Sequence, residues 1–389
     1  MELKIMENKE KICNYIKSLY PEMKDMVLLH CPQFLGNEKK YLNECIDTKF
    51  VSYVSHFVTD MEESIKKITG AKFAVAMVNG TEALHMAIIC AGINSGEEII
   101  TQSLTFAATS AAIVHCGASP IFIDVDIDTM GMSPNALKKY LESNTEQKDG
   151  KCYNKKTGKV ISACIPMHTF GHPCRIDEIK EICDSYNLIL IEDSAESIGS
   201  SFKGKMTGTF GKVGILSFNG NKCVTTGAGG MLITDDEAIA TRARYISTTA
   251  KKPSKWEFFH TEAGYNLRMP GTCGAIGAAQ LEYFEKTMEN KRETAKLYQN
   301  FFAELGIECF KEPKNACSNY WLNAIILKDK NEREEFLEYA NSNGVQCRPI
   351  WTLMHKMPPY ENYERADLYN SEWLEDRVVN IPSSVRTSL

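Results

Sequence analysis

Ser217-Phe218-Asn219-Gly220-Asn221-Lys222 lies between an apolar run, Val213-Gly214-Ile215-Leu216, and the glycine-rich stretch TTGAGG, Thr225 to Gly230. The apolar run reads as a buried strand and the glycine-rich stretch as the tight return after it. A lysine between two such elements is carried on short backbone at the edge of a core. Partial desolvation weakens the preference of lysine for its ammonium form. The neutral amine can then attack a carbonyl and form a Schiff base. The plain alternative is a solvated loop lysine, since charged side chains mostly lie at the surface. The remainder of the chain has to decide between them.

Moving outward, short apolar runs alternate with helical segments. Strand-like pieces are Phe73 to Val78, Glu98 to Thr101, Pro120 to Asp124, Ser162 to Pro166 and Leu188 to Glu192; helical ones are Met61 to Ile68, Glu82 to Cys90 and Ile176 to Tyr186. This rhythm predicts an α/β fold with a mostly parallel central sheet covered by helices on both faces. After Gly271 the pattern changes: Ala275 to Leu305 reads as one long helix. A strand near Trp321 to Leu327, a helix from Glu332 to Ser342 and a strand near Val345 to Ile350 then suit a smaller α+β domain. The expected division is 1–56 as an N-terminal segment, 57–280 as the large domain, and 281–389 as connecting helix and small domain. The N-terminal segment should hold an amphipathic helix with Ile5, Ile12, Tyr15, Ile16 and Leu19 on or near one side.

A chain of 389 residues is long enough for one large and one smaller domain. A formal net charge of −6 argues against a general nucleic-acid binder. No apolar stretch approaches a membrane span, and the N-terminus lacks the apolar core of a secretory signal, so a cytoplasmic location is expected. The 14 cysteines include no C-x-x-C pair and read as reduced, mostly buried thiols. His168 and His172 have metal-ligand spacing on a helix, but Gly171 and Pro173 make a helix there improbable, and no metal is expected.

Open parallel sheets bind ligands beyond the carboxyl ends of their strands. Three groups fall at such ends. Asn79-Gly80-Thr81-Glu82 follows a strand and opens a helix, where free amides and the Thr81 hydroxyl make an anion site; a plain N-cap role for Thr81 is the alternative. Glu192-Asp193-Ser194-Ala195-Glu196 ends a buried strand, where an acid is costly unless it meets a cation such as a protonated pyridine nitrogen; an N-cap is again the alternative. Ser217 to Lys222 is the third. An anion site, an acid and a lysine in this order form the constellation expected for pyridoxal phosphate.

These residues also resemble a known family. The motifs NGTEALHMA (Asn79 to Ala87), TFAATSAAI (Thr105 to Ile113), GASPIFIDVD (Gly117 to Asp126), IEDSAESIGS (Ile191 to Ser200), SFNGNK (Ser217 to Lys222) and GYNLRMPGTCGAIGAAQLE (Gly264 to Glu282) are similar to those of the DegT-type sugar aminotransferases, fold-type I enzymes that use pyridoxal phosphate. HCPQFLGNEKKYL (His30 to Leu42), MHTFGHPCRID (Met167 to Asp177) and NIPSSV (Asn380 to Val385) look most like the subgroup associated with legionaminic-acid-type aminosugars.

The resemblance implies roles. Lys222 forms the Schiff base with the cofactor and shuttles the proton, and Asp193 pairs with the ring nitrogen. Phe106 stacks on one ring face and Ala195 on the other, while Gly80, Thr81, the Glu82 amide and Ser217 hold the phosphate. Asn266 reaches that phosphate from the neighbouring subunit, which makes a homodimer part of the site. Many relatives carry Gln or His where this chain has Glu196, so that carboxylate must be protonated, turned away or paired. The dehydratase branch replaces the lysine with histidine, so Lys222 favours transamination. Glutamate is the implied donor and the 4-keto carbon of a nucleotide-linked 6-deoxyhexose the implied acceptor, with a UDP-linked 2-acetamido sugar favoured and surface glycan synthesis the setting. Arg268, Lys251 and Lys252 are candidates for the diphosphate, with His355 and Arg348 behind them; surface charge is the alternative. A 3-amination or dehydration on a related ketosugar, and more remotely a non-catalytic sensor, are the competing readings.

Overall fold

The computed structural model describes residues 4–387, with side chains from Glu7 onward. Its main sheet has the strand order Phe73–Met77, Gly230–Thr234, Val213–Ser217, Ile189–Asp193, Val160–Ile165, Glu98–Gln102 and Ser119–Ile123. The last five are mutually parallel. Gly230–Thr234 runs antiparallel to both of its neighbours, so Phe73–Met77 shares the direction of the parallel five. The architecture is α/β, as the alternation of segments predicts, and it agrees with the fold-type I arrangement that the family resemblance implies.

Parallel strands covered on both faces should be apolar throughout. Val213–Ser217, Glu98–Gln102 and Gly230–Thr234 are buried at every position. One face packs on Ala83, Leu84, Ala87, Ile113, Ile239 and Ala243 of the covering helices. Elsewhere Val58, Met61 and Phe218 join a cluster with Trp321, Leu353 and Val378, so a continuous apolar core runs from the main sheet into the C-terminal part.

That C-terminal part contains a sheet of four short antiparallel strands, ordered Glu308–Cys309, Asn323–Ile326, Val378–Ile381 and Arg348–Pro349. Lys330–Ser342 packs against it and against the N-terminal helix Lys4–Leu19. Ile12 and Ile16 of that N-terminal helix are fully buried, while Tyr15 and Leu19 pack at the margin of the same cluster; the side chain of Ile5 lies outside the described residues.

Three local expectations change. The long helix is two, Gly271–Glu282 and Phe284–Leu305, because Tyr283 leaves helical geometry (φ −102°, ψ 5°). Helix Gly80–Cys90 begins earlier than its apolar pattern suggested, and its N-cap is Asn79 rather than Thr81. The hairpin Thr145–Lys148 with Lys151–Asn154, which extends the sheet through Val160–Ile165, had no clear alternation to mark it.

Among the described residues no helix is long and apolar enough to cross a membrane. The cysteines are free thiols, of which Cys317 is exposed. His168 bonds Glu192, and His172 packs against Phe310 and Tyr320.

Candidate active site

A cavity of about 610 Å³ opens at the carboxyl edge of the parallel strands. Gly80, Thr81, Phe106, Asp193, Ala195, Glu196, Ser217 and Lys222 all line it. Their separation in sequence disappears because each follows or ends a strand of one direction.

The first wall is a helix start. The Asn79 side chain accepts the Glu82 amide at 2.8 Å. Of the first-turn amides that have no intrahelical acceptor, this leaves those of Gly80 and Thr81 facing the cavity. Gly80 also allows close approach: a Cβ there would lie 2.8 Å from the Ser217 Cβ and 3.0 Å from its Oγ. Two amides and two hydroxyls therefore surround a space suited to an anion.

The second wall ends strand Ile189–Asp193. Successive residues of a strand point to opposite faces, and the two adjacent acids part accordingly. Glu192 is fully buried and accepts the amides of Gly208, Phe210 and Gly211 at 2.8, 2.6 and 2.7 Å, together with His168 Nε2 at 3.1 Å. Asp193 faces the cavity. Its oxygens accept the Thr109 hydroxyl at 2.7 Å and the Ala195 amide at 3.2 Å. Burial pushes its carboxyl above the ordinary aspartate range, against those bonds and the Lys222 charge. A buried acid with unfilled lone pairs is matched to a cationic nitrogen.

Lys222 stands opposite. Its Nζ lies 3.2 Å from Glu196 Oε1 and 3.7 Å from the centroid of the Trp321 ring. The other Glu196 oxygen accepts the Phe170 amide at 2.8 Å, so this acid is paired. Phe106 is 52% exposed, with its ring edge-on to Trp351, while Ala195 lines the cavity with a small apolar surface. An anion cradle, a buried acid, an amine and apolar faces fit a flat, phosphorylated, cationic heterocycle bearing an aldehyde.

Other expected residues are elsewhere. Glu82 is outside the cavity lining; its amide serves Asn79 and its carboxylate bonds His85 at 3.0 Å. Arg268 is buried and pairs with Glu62 at 3.3 Å, beside the Tyr53 ring, so its charge is spent inside the fold. Lys251 and Lys252 lie over Phe258 and Phe259. His355 is nearly buried, bonds Ser103 Oγ at 2.8 Å, and is held below its usual range by that burial. Asn266 is exposed, with its backbone bridged to Thr248. None of these six residues lines this cavity.

Arg348 does line it, as do Trp321, Trp351, Thr352 and Asn380 from the C-terminal part. Of these, the sequence marks Arg348 as a candidate cation and Asn380 only as the start of the NIPSSV motif; Trp321, Trp351 and Thr352 carry no local pattern, since an aromatic beside a short strand ordinarily reads as packing. Asn219 and Asn221 also line the cavity and sit inside the motif that marks Lys222.

Comparison with known proteins agrees with this geometry. The family described as DegT/DnrJ/EryC1/StrS aminotransferase matches residues 33–389. GDP-perosamine synthase of Escherichia coli O157:H7 is 35% identical over 353 residues, covering 90% of this chain and 92% of that protein. GDP-perosamine synthase of Vibrio cholerae is 34% identical over 365 residues, covering 92% and 94%. Among solved structures, a DegT DnrJ EryC1 StrS aminotransferase from Brucella abortus superposes with a TM-score of 0.80 at 25% identity, over 89% of this chain and 90% of that one.

Proposed function

The chain belongs to the DegT/DnrJ/EryC1/StrS aminotransferase family, whose enzymes use pyridoxal phosphate, and from that premise we propose that it moves an amino group from glutamate to the 4-keto carbon of a nucleoside-diphosphate-linked 6-deoxyhexose. The observation that carries the reading is the meeting of Lys222, Asp193 and the Gly80–Thr81–Ser217 anion cradle in one cavity.

When bound, pyridoxal phosphate supplies an aldehyde for amine exchange and a protonated ring that withdraws electrons from the reacting carbon. The Gly80 and Thr81 amides, with the Thr81 and Ser217 hydroxyls, would hold its phosphate. Asp193 would keep the ring nitrogen protonated. Phe106 and Ala195 would cover its two faces. Lys222 provides the condensing amine and then, as a free amine, takes a proton from one carbon and returns it to another.

The sugar nucleotide would occupy the side of the cavity bounded by the C-terminal part. Arg348 is the cation there without a carboxylate partner among the described residues, which suits a carboxylate or diphosphate. Two relatives named GDP-perosamine synthase favour a GDP-linked acceptor. The UDP-linked 2-acetamido sugar, with its legionaminic-acid-type setting, is the second reading and rests on the His30–Leu42 and Met167–Asp177 motifs. A homodimer completes the proposal. Asn266 is exposed, as a side chain that reaches a neighbouring subunit has to be.

The test is a two-stage titration of the full-length protein loaded with cofactor. Glutamate should change the cofactor absorbance and release 2-oxoglutarate. Adding GDP- or UDP-linked 4-keto-6-deoxysugars separately should restore the spectrum with one of them. No response to glutamate would overturn the transamination; a response without restoration by any sugar would overturn the acceptor.

A further inference from the structure

The acid side of the cavity is backed by two threonines in series. Thr109 Oγ1 donates to Asp193 Oδ2 at 2.7 Å and lies 2.7 Å from Thr105 Oγ1. Thr105 Oγ1 is in turn 3.0 Å from the Met167 sulfur, and both threonines are fully buried. Two hydroxyl protons serve three contacts, so the strength of the acceptors decides their direction. A carboxylate is the strongest acceptor of the set and a thioether the weakest. Thr109 therefore donates to Asp193 and Thr105 donates to Thr109, while the sulfur packs against the Thr105 oxygen. Each link polarises the next toward the carboxylate. A threonine in a helix commonly bonds back to a carbonyl one turn earlier. Thr109 bonds two side chains instead.

We propose that Thr109, backed by Thr105, is a positioning residue that aims the Asp193 carboxylate at the ring nitrogen of pyridoxal phosphate and keeps their shared proton on that nitrogen. The proposal rests on Asp193 being the partner of that ring. The backbone of Asp193 is fixed by the Pro166 carbonyl at 3.0 Å and the His168 amide at 3.2 Å. Its side chain is held by Thr109 on one oxygen and by the Ala195 amide, at 3.2 Å, on the other. A hydrogen bond donated to a carboxylate lowers its affinity for a proton. With Thr109 donating, the proton between acid and ring stays with nitrogen. Without it, the same proton moves along the N–H···O bond to the Asp193 oxygen. One N–H bond breaks and one O–H bond forms, and nothing is oxidised or reduced.

Two further observations single out Thr109. Burial raises the Asp193 carboxyl, and among the groups that oppose this the Thr109 hydroxyl comes before the Ala195 amide and the charges of Lys222 and His168. Thr109 also lies in the first turn of helix Ala107–His115, whose N-cap is Phe106, and its amide donates to the Phe106 carbonyl at 3.2 Å. The segment that would lay an aromatic on the ring face thus also carries the hydroxyl that aims the acid at the ring edge. A site built on a helix start is held more tightly than one built on a free loop.

The experiment uses the full-length protein loaded with pyridoxal phosphate that carries nitrogen-15 in its ring. The chemical shift of that nitrogen follows the position of the proton and needs no substrate, so this test and the transamination test can fail separately. The native protein should show a protonated nitrogen. Thr109→Val, close in shape but without the hydroxyl, should move the shift toward the unprotonated value. It should also slow the glutamate half-reaction about tenfold at unchanged KM, the loss expected for one hydrogen bond to a charged group. Thr109→Ser should restore both. Thr105→Val should give a smaller move in the same direction, and it carries the comparison if Thr109→Val does not fold. An unchanged shift in Thr109→Val, or in Thr105→Val where that variant alone folds, would overturn the proposal. An unprotonated nitrogen in the native protein would overturn the Asp193 pairing and the proposal with it.

Discussion

Gly80 and Ser217 approach so closely across the cavity that a Cβ on Gly80 would sit 2.8 Å from the Cβ of Ser217. The contact joins the start of one helix to the end of a strand that is distant in sequence, and it defines the floor of the anion cradle. Gly80→Ala should therefore displace Ser217 from a bound phosphate. We expect about a tenfold rise in the Kd for pyridoxal phosphate, equivalent to about 1.4 kcal/mol, with Tm little changed. Fluorescence titration beside calorimetry checks both halves.

Arg268 and Arg348 should respond to substitution in opposite ways. Arg268→Gln removes a partner of the buried Glu62, which also binds Arg244 and the Ala76 amide. The expected result is a loss of about 1–3 kcal/mol in stability from an under-paired buried acid. Arg348→Gln should leave Tm within a degree or two and raise KM for one anionic substrate about tenfold or more. Thermal melts and separate half-reaction kinetics distinguish the two. An unchanged KM for Arg348→Gln in both halves would remove it from the binding site.

The Glu196 carboxyl gives a pH signature in the protein without cofactor. Its folded value is about 7 against an ordinary 4.5, so the folded state favours the protonated form. The associated stability is present below the unfolded value and is lost as pH rises through the folded one. Glu196→Gln cannot lose it. The Tm of the variant relative to the native chain should rise between pH 5 and pH 8, by the equivalent of about 1–3 kcal/mol. A constant difference across that window would show that burial does not dominate at Glu196.

A shared active site predicts complementation. Lys222→Ala and Asn266→Ala should each be inactive or nearly so as separate homodimers. After co-refolding of equal amounts, half of the dimers are mixed and each has one intact site, so about a quarter of native activity should return. Activity that never rises above the two parents would place Asn266 outside its neighbour's site.

Much of this protein was determined locally. The strand–helix rhythm of residues 73–217 specified a parallel sheet, because helical and extended backbones bury side chains at different periods. The same logic located Lys222, Asp193 and the Gly80–Thr81 turn, since ligands gather at the carboxyl ends of such strands. Those positions are visible in sequence because backbone geometry alone places them.

The charged partners were decided only by the tertiary structure. Sequence puts Arg268 ahead of Arg348 for the diphosphate, yet Arg268 is turned inward to Glu62 and Arg348 lines the cavity. Glu196 could have been protonated, turned away or paired, and the fold pairs it with Lys222. Trp321 reaches the lysine from a hundred residues away, held by Asn221, Asn319 and Lys291. A long side chain can point in several directions from one backbone position, and only the packing of remote segments selects among them.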